Sequence, residues 1–187
     1  RKDMGKTDGT AIFTQDIKLP KMLTAVVAHP PRFGAKVKTF SATKTKMLVG
    51  TVQVVEIATG IAVIADNFWN AKKGRDVLDV EWDTRGAMRE GSLELMRDYR
   101  IAAEKSGKNV VSTGDIELGF KTAAKIIEAE YEYPYLAHAT MEPMNCVVKI
   151  NKTGAEIWNG SQSPTSDQNA VAALIGVSPE QVKVHSL

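Results

Sequence analysis

Between Thr51 and Asp83 the hydrophobic period changes twice within one short tract, and the order of those periods strongly constrains the fold. Thr51–Ile57 is rich in valine and reads as a strand. Thr59–Gly60 marks a turn, and Ile61–Ala65 is a second short, buried strand. Asp66 or Asn67 can then cap a helix over Phe68–Leu78, on which Phe68, Ala71, Arg75 and Leu78 share one side. From there Leu78, Val80 and Trp82 repeat every two residues, so a strand follows with Trp82 partly buried. Strand, turn, strand, helix, strand predicts a compact α/β unit with one core.

Proline and glycine punctuate the flanks. Gly9–Pro20 carries a turn, apolar positions Ile12, Phe13 and Ile17, and a stop at Pro20. Met22–Ala28 reads as a buried strand that ends at His29–Pro30–Pro31, where two prolines forbid continuation. Gly34 resets the chain before a strand over Ala35–Phe40. Thr84–Gly91 is the favoured domain boundary, with a weaker one at Gly107–Gly114. Ser92 is expected to cap a helix carrying Leu95, Met96, Tyr99 and Ala103, and Asp115 a shorter one with Ile116, Phe120 and Ala123. Lys125–Tyr133 reads as a strand, Pro134–Asn145 as irregular, and Cys146–Ile150 with Glu156–Trp158 as a hairpin. Ser163–Pro164 starts a helix that carries Val171, Leu174 and Ile175 and stops at Gly176. Ser178 and Gln181 have capping-box spacing, and Val182 and Val184 open a final strand. The fold class is α+β, divided into 1–85, a helical linker region 86–114, and 115–187.

Composition excludes several classes. Lys+Arg 24 against Asp+Glu 22 leaves a net charge of +2, too small a field to attract nucleic acid. The longest apolar runs, around Met22–Ala28 and Ile61–Ala65, fall far short of the roughly 20 residues a bilayer requires, so no direct membrane insertion is expected. Arg1–Asp8 is polar with no apolar stretch behind it, so no signal peptide is read. A single cysteine, Cys146, excludes an internal disulfide, a zinc ribbon and a cysteine-ligated iron–sulfur cluster from this chain alone. The missing initial Met and the strand-like tail Val182–Leu187 are read as marks of a piece cut from a longer polypeptide.

Few segments carry chemistry. Neither G-x-x-x-x-G-K-[ST], G-x-G-x-x-G nor G-x-S-x-G occurs, so P-loop, Rossmann and hydrolase-elbow chemistry lack a basis. His138 and Glu142 lie four apart and would share a face on a helix, but Pro143 disfavours helix at Glu142. The plainer reading is a loop histidine bonded to backbone, with no metal site. Cys146, inside an apolar strand, is expected to be a small buried hydrophobe. The most suggestive stretch is Trp158–Asn159–Gly160–Ser161–Gln162–Ser163–Pro164. There a strand ends, a glycine turns the chain, and a helix starts, so backbone N–H groups and the Gln162 amide meet at one corner. Such an amide can hold an oxo or oxyanion group, or simply bond its own loop.

Three stretches resemble one family. They are Asp8–Pro20 (D-G-T-A-I-F-T-Q-D-I-K-L-P), Tyr133–Asn145 (Y-P-Y-L-A-H-A-T-M-E-P-M-N), and Ser161–Gln162–Ser163–Pro164 with its helix. Together they resemble the large, molybdenum-carrying subunit of the xanthine dehydrogenase and aldehyde oxidase family, in the branch of isoquinoline 1-oxidoreductase beta subunits and membrane-associated aldehyde dehydrogenases. The resemblance implies an α/β hammerhead-like domain over 1–85 and the start of a molybdopterin-binding domain over 115–187. It places on Gln162 the glutamine that hydrogen-bonds the oxo ligand of molybdenum, with Ser161 beside it where relatives often carry threonine. His138 and Glu142 match the H-A-x-M-E-P motif of the active-site region.

The family's glycine-rich cofactor loop and catalytic glutamate have no counterpart here, so no catalytic residue and no bound cofactor are expected in this chain alone. The implied parent oxidises aldehydes or N-heterocycles with molybdopterin cytosine dinucleotide and molybdenum. It passes electrons to a [2Fe–2S] small subunit and on to a cytochrome, and resides in the periplasm or at the membrane of a bacterium. Two readings from other classes stay open: a freestanding α+β binding or scaffold domain without redox chemistry, and a small metal hydrolase built on His138 and Glu142.

Overall fold

The structure, a computed structural model, describes residues 5–187; the first half of the polar start lies outside the described residues. In chain order the elements are α1 (Gly5–Asp8), β1 (Thr24–Ala28), β2 (Lys36–Ser41), α2 (Thr43–Lys46), β3 (Thr51–Ile57), β4 (Gly60–Ala65), α3 (Phe68–Asp76), β5 (Asp79–Asp83), α4 (Ser92–Ala103), α5 (Ile116–Thr122), β6 (Cys146–Asn151), β7 (Gly154–Asn159), α6 (Pro164–Ile175) and β8 (Val182–Ser186), with 3-10 turns at Thr14–Asp16 and Pro179–Gln181. They gather into two compact units, Leu23–Leu136 and Ala137–Leu187, the latter joined by the chain up to Met22. Thr84–Gly91 therefore lies within a unit. Ala87 is buried, and the Met88 N–H donates to the Phe33 carbonyl at 2.9 Å.

In the Leu23–Leu136 unit, β4 is the middle strand of an antiparallel sheet ordered β1–β4–β3, with Val63 opposite both Val26 and Val54. Two neighbouring strands flank β4 and α3 packs against it, so Ile61, Val63 and Ala65 are inaccessible while Ile64 is half-buried. Helix α3 starts at Asn67, whose side chain accepts the Asn70 N–H at 2.9 Å. Its buried residues are Ala71 and Gly74, while Phe68 is exposed. The expected Phe68 stripe is thus displaced, and close approach is the reason. A Cβ on Gly74 would stand 2.8 Å from Val63 Cγ1, and the Thr45 hydroxyl donates to the Gly74 carbonyl at 2.8 Å. Small residues hold the helix nearer the sheet than an aromatic ring allows. β2 and β5 form a separate ribbon with Val37 opposite Trp82, and Val80 and Trp82 are half-buried.

Helix α4 is capped by Gly91 rather than Ser92. The Glu94 carboxylate accepts the Gly91 N–H at 2.9 Å, and Ser92 is the first helical residue. Asp115 caps α5 as expected, accepting from the Leu118 N–H at 2.9 Å. The strand expected at Lys125–Tyr133 forms no ladder; its residues have no strand beside them among the described residues.

In the other unit, β6 pairs antiparallel with β7, and β7 pairs parallel with β8. α6 makes the crossover that parallel strands require. Ile157, Ala172 and Val182 form its small core, flanked by Val171, Val177 and Val184. α6 packs on β7 and β8 and leaves the outer strand β6 uncovered, so Cys146 is exposed rather than buried. Gly154 has φ 154, and a Cβ there would meet the Gln181 carbonyl oxygen at 1.9 Å. Only glycine fits that turn.

Candidate functional site at the β7–α6 corner

Gln162 occupies a bend between β7 and α6, and hydrogen bonds fix the backbone on both sides of it. Upstream, the Asn159 amide donates to Asp167 Oδ2 at 2.9 Å, and the Leu187 N–H donates to the Asn159 carbonyl at 3.1 Å. The Ser186 hydroxyl donates to the Ser161 carbonyl at 3.2 Å. Downstream, the Ser163 N–H donates to Ser161 Oγ at 3.1 Å. Ser163 holds the N-cap position before Pro164, but its hydroxyl meets Ser166 Oγ at 2.7 Å instead of capping the helix. The Gln162 side chain itself is exposed and makes no hydrogen bond to a described residue.

Asp167 is the hub. The Ser161 hydroxyl, first, and the Asn159 amide, second, hold its carboxyl below the usual carboxylate range. It also stands in the first turn of α6, where the helix dipole favours negative charge. Sequence reasoning missed it, although an acidic residue in the first turn after a Ser–Pro start was a readable signal. Ser161 thus serves the corner's own geometry through its hydroxyl.

Glu142 joins two other motifs to the corner. Thr14, fully buried, donates its N–H to Glu142 Oε1 at 3.4 Å across 128 residues of sequence. A Cβ on Gly160 would stand 3.4 Å from Glu142 Oε2. One carboxylate therefore links the Asp8–Pro20 and Tyr133–Asn145 stretches and stands beside Gly160, just ahead of the third. The Thr14 hydroxyl and Asn159 Oδ1 are buried with no partner among the described residues.

His138 is exposed in an irregular loop, next to Ala139 with φ 42. The Thr140 hydroxyl donates to the Glu142 carbonyl at 2.7 Å, so no helix forms there and His138 and Glu142 share no helical face. Among the described residues no three His, Cys, Asp or Glu side chains gather as a metal site. Also unforeseen is the stacking of the His185 and Trp158 rings, with centroids 4.8 Å apart and planes within 3°. His185 Nε2 lies 3.3 Å from Glu156 Oε2, a cross-strand clip between β8 and β7. The grooves lined by Lys46 and Thr51–Val54, and by Ile116–Ile127, do not include any residue of the corner.

The donor set suits one kind of contact. A neutral amide on a fixed corner can donate to an oxygen ligand. Residues 158–163 contain no Lys or Arg to neutralise a phosphate, so the fit to a molybdopterin cofactor extends to that single contact.

Known proteins are similar to this chain at the level of sequence and of fold. Residues 101–187 match the family model of the molybdopterin cofactor-binding domain. The chain is 25% identical over 197 residues to isoquinoline 1-oxidoreductase subunit beta of Brevundimonas diminuta, covering 99% of this chain and 25% of that relative. It is 28% identical over 168 residues to the membrane-bound aldehyde dehydrogenase (pyrroloquinoline-quinone) of Gluconacetobacter polyoxogenes, covering 84% of this chain and 22% of the relative. The structure of the aldehyde oxidoreductase from Desulfovibrio gigas shares the fold with a TM-score of 0.71 at 15% identity, over 97% of this chain and 25% of that one. Residues 101–187 are thus similar to a molybdopterin cofactor-binding domain, and the chain spans about a quarter of the length of these relatives.

Proposed function

We propose that this chain is a portion of the large subunit of a molybdenum hydroxylase that oxidises aldehydes or N-heterocycles, inactive on its own. The observation that carries the reading is the β7–α6 corner: its backbone is tied on both sides while the Gln162 amide is left exposed and unpaired. The cofactor, in the form of molybdopterin cytosine dinucleotide with molybdenum, supplies the redox chemistry when bound. Gln162 would help hold that group by donating an amide N–H toward it. Ser161, Asn159 and Asp167 hold the direction of that donor, so little conformational freedom is lost when the contact forms. Glu142 braces the corner from the Thr14 side, and His138 stands in the same motif at the edge of the site. The sequence modules in this reading are a hammerhead-like domain over 1–85, a linker region over 86–114 and the start of the molybdopterin-binding domain over 115–187. The family match from residue 101 begins inside that linker. The parent passes electrons to a [2Fe–2S] small subunit and then to a cytochrome, at the periplasmic side of a bacterial membrane.

The test is Gln162→Ala in the longer enzyme. Loss of one preorganised donor should lower kcat about ten- to a thousandfold. Melting temperature and molybdenum content should stay near wild type. Wild-type turnover with full metal loading refutes the role. A loss of turnover that only follows unfolding assigns Gln162 to structure.

A further inference from the structure

Residues 125–135 are the least explained part of the molecule. Ile127, Ala129, Tyr131, Tyr133 and Tyr135 alternate with Glu128, Glu130 and Glu132, the period of a strand with one apolar and one acidic face. Yet among the described residues no backbone N–H or C=O of this stretch makes a hydrogen bond. Ile127, Tyr131 and Tyr133 are each more than 70% exposed.

The acidic face is already held. Arg100 on α4 places Nε 2.8 Å from Glu130 and a terminal nitrogen 2.8 Å from Glu132, one guanidinium bridging two carboxylates two residues apart. The Tyr135 hydroxyl bonds the hydroxyl of Tyr99, the residue before Arg100 on α4, and their rings meet edge-on at 6.5 Å. Helix α4 thus holds the segment at Glu130, Glu132 and Tyr135, while Ile127, Tyr131, Tyr133 and the backbone edge stay open.

We infer that residues 125–135 are a strand prepared for pairing, and that its partner is a strand elsewhere in the same longer polypeptide, apolar on one face and neutral or basic on the other. Adding a strand to an open edge satisfies backbone groups and side-chain pairs together. Charge selects the occupant. A second copy of this segment would bring Glu128, Glu130 and Glu132 against their own counterparts, and like charges facing each other across strands are destabilising. The relatives carry about three quarters of their length outside the part matched here, which is ample to supply the strand. This inference rests on the proposed reading of the chain as a portion of a larger subunit.

Hydrogen exchange tests it on the 187-residue chain and on the full polypeptide encoded by its gene. In the chain alone, the amides of 125–135 should exchange at nearly unstructured rates, independent of protein concentration. In the full polypeptide they should slow by at least about a hundredfold, as ladder amides do. Protection that rises with concentration in the chain alone would identify a second copy as the partner and overturn the inference. So would free exchange in the full polypeptide, or a gene that supplies no further strand. Molybdenum content, measured on the same full polypeptide, separates the two readings: protection without molybdenum keeps the strand and rejects the cofactor role, and molybdenum without protection does the reverse.

Discussion

The tracts Thr51–Asp83 and 104–136 both alternate apolar and polar residues, yet they end in opposite states. In the first, Ile61, Val63, Ala65 and Ala71 are sealed between two strands and a helix. In the second, every residue is exposed, including Phe120, Ile127, Tyr131 and Tyr133. Apolar content does not separate them; the availability of a partner nearby does. β4 finds β3 across a two-residue turn and β1 within the same unit, whereas 125–135 is bonded, among the described residues, to Arg100 and Tyr99 alone. Periodicity shows what a segment can bury, and the rest of the chain decides whether it does.

Substitutions can break this contrast. The largest expected effect is Ile61→Ala, about 2–5 kcal/mol in denaturant melts, because a fully enclosed side chain leaves a cavity. Ile127→Ala in the same chain should change stability by less than about 0.5 kcal/mol. Equal losses at the two positions would show that 104–136 is buried in solution. Next comes Gly60→Ala. Gly60 has φ 146, and a Cβ there would stand 2.1 Å from the Ala28 carbonyl oxygen, so the β3–β4 turn should lose about 1–3 kcal/mol. A melt unchanged by that substitution would mean the turn relaxes freely. Trp82→Ala, on the half-buried ribbon face, should cost about 1–3 kcal/mol, less than a core tryptophan.

The smallest effect concerns Asp167 and is read through pH. Its folded carboxyl is held below its ordinary value by Ser161 and Asn159. The stabilisation is therefore fully present above about pH 4 and is lost as the pH falls through the lower folded value. Acid melts of wild type and Asp167→Asn should converge as that window is crossed. Parallel curves from pH 7 to pH 2 would remove Asp167 from its place as the hub.

Much of the fold was legible because its signals are local. Valine runs, the Asn67 and Asp115 caps, Pro164 at the start of α6 and Gly176 at its end act within a few residues. Gly91 displaced Ser92 as the cap because Glu94 reaches back to its N–H, a bond that cap preference at one position does not reveal. The strand at Lys125–Tyr133 was misread because a ladder belongs to two segments, and the pattern of one segment shows only half of it. Cys146 was misread for a related reason: burial on β6 depended on how far α6 reaches across the sheet. At the site, the corner that carries Gln162 was legible from the strand–glycine–helix order. The Thr14–Glu142 contact was not, since no local pattern links residues 128 apart.

The parallel pairing of β7 with β8 sets an order in time. The Ser186 hydroxyl closes the corner by reaching the Ser161 carbonyl, 25 residues earlier in the chain. During synthesis at about 5–20 residues per second, Gln162 therefore leaves the ribosome roughly one to five seconds before the last tie of its corner exists. In that interval β6 and β7 can form a hairpin, but the backbone of the corner is not yet tied on the β8 side. The corner is therefore completed only once β8 has been made, whatever its own residues favour locally.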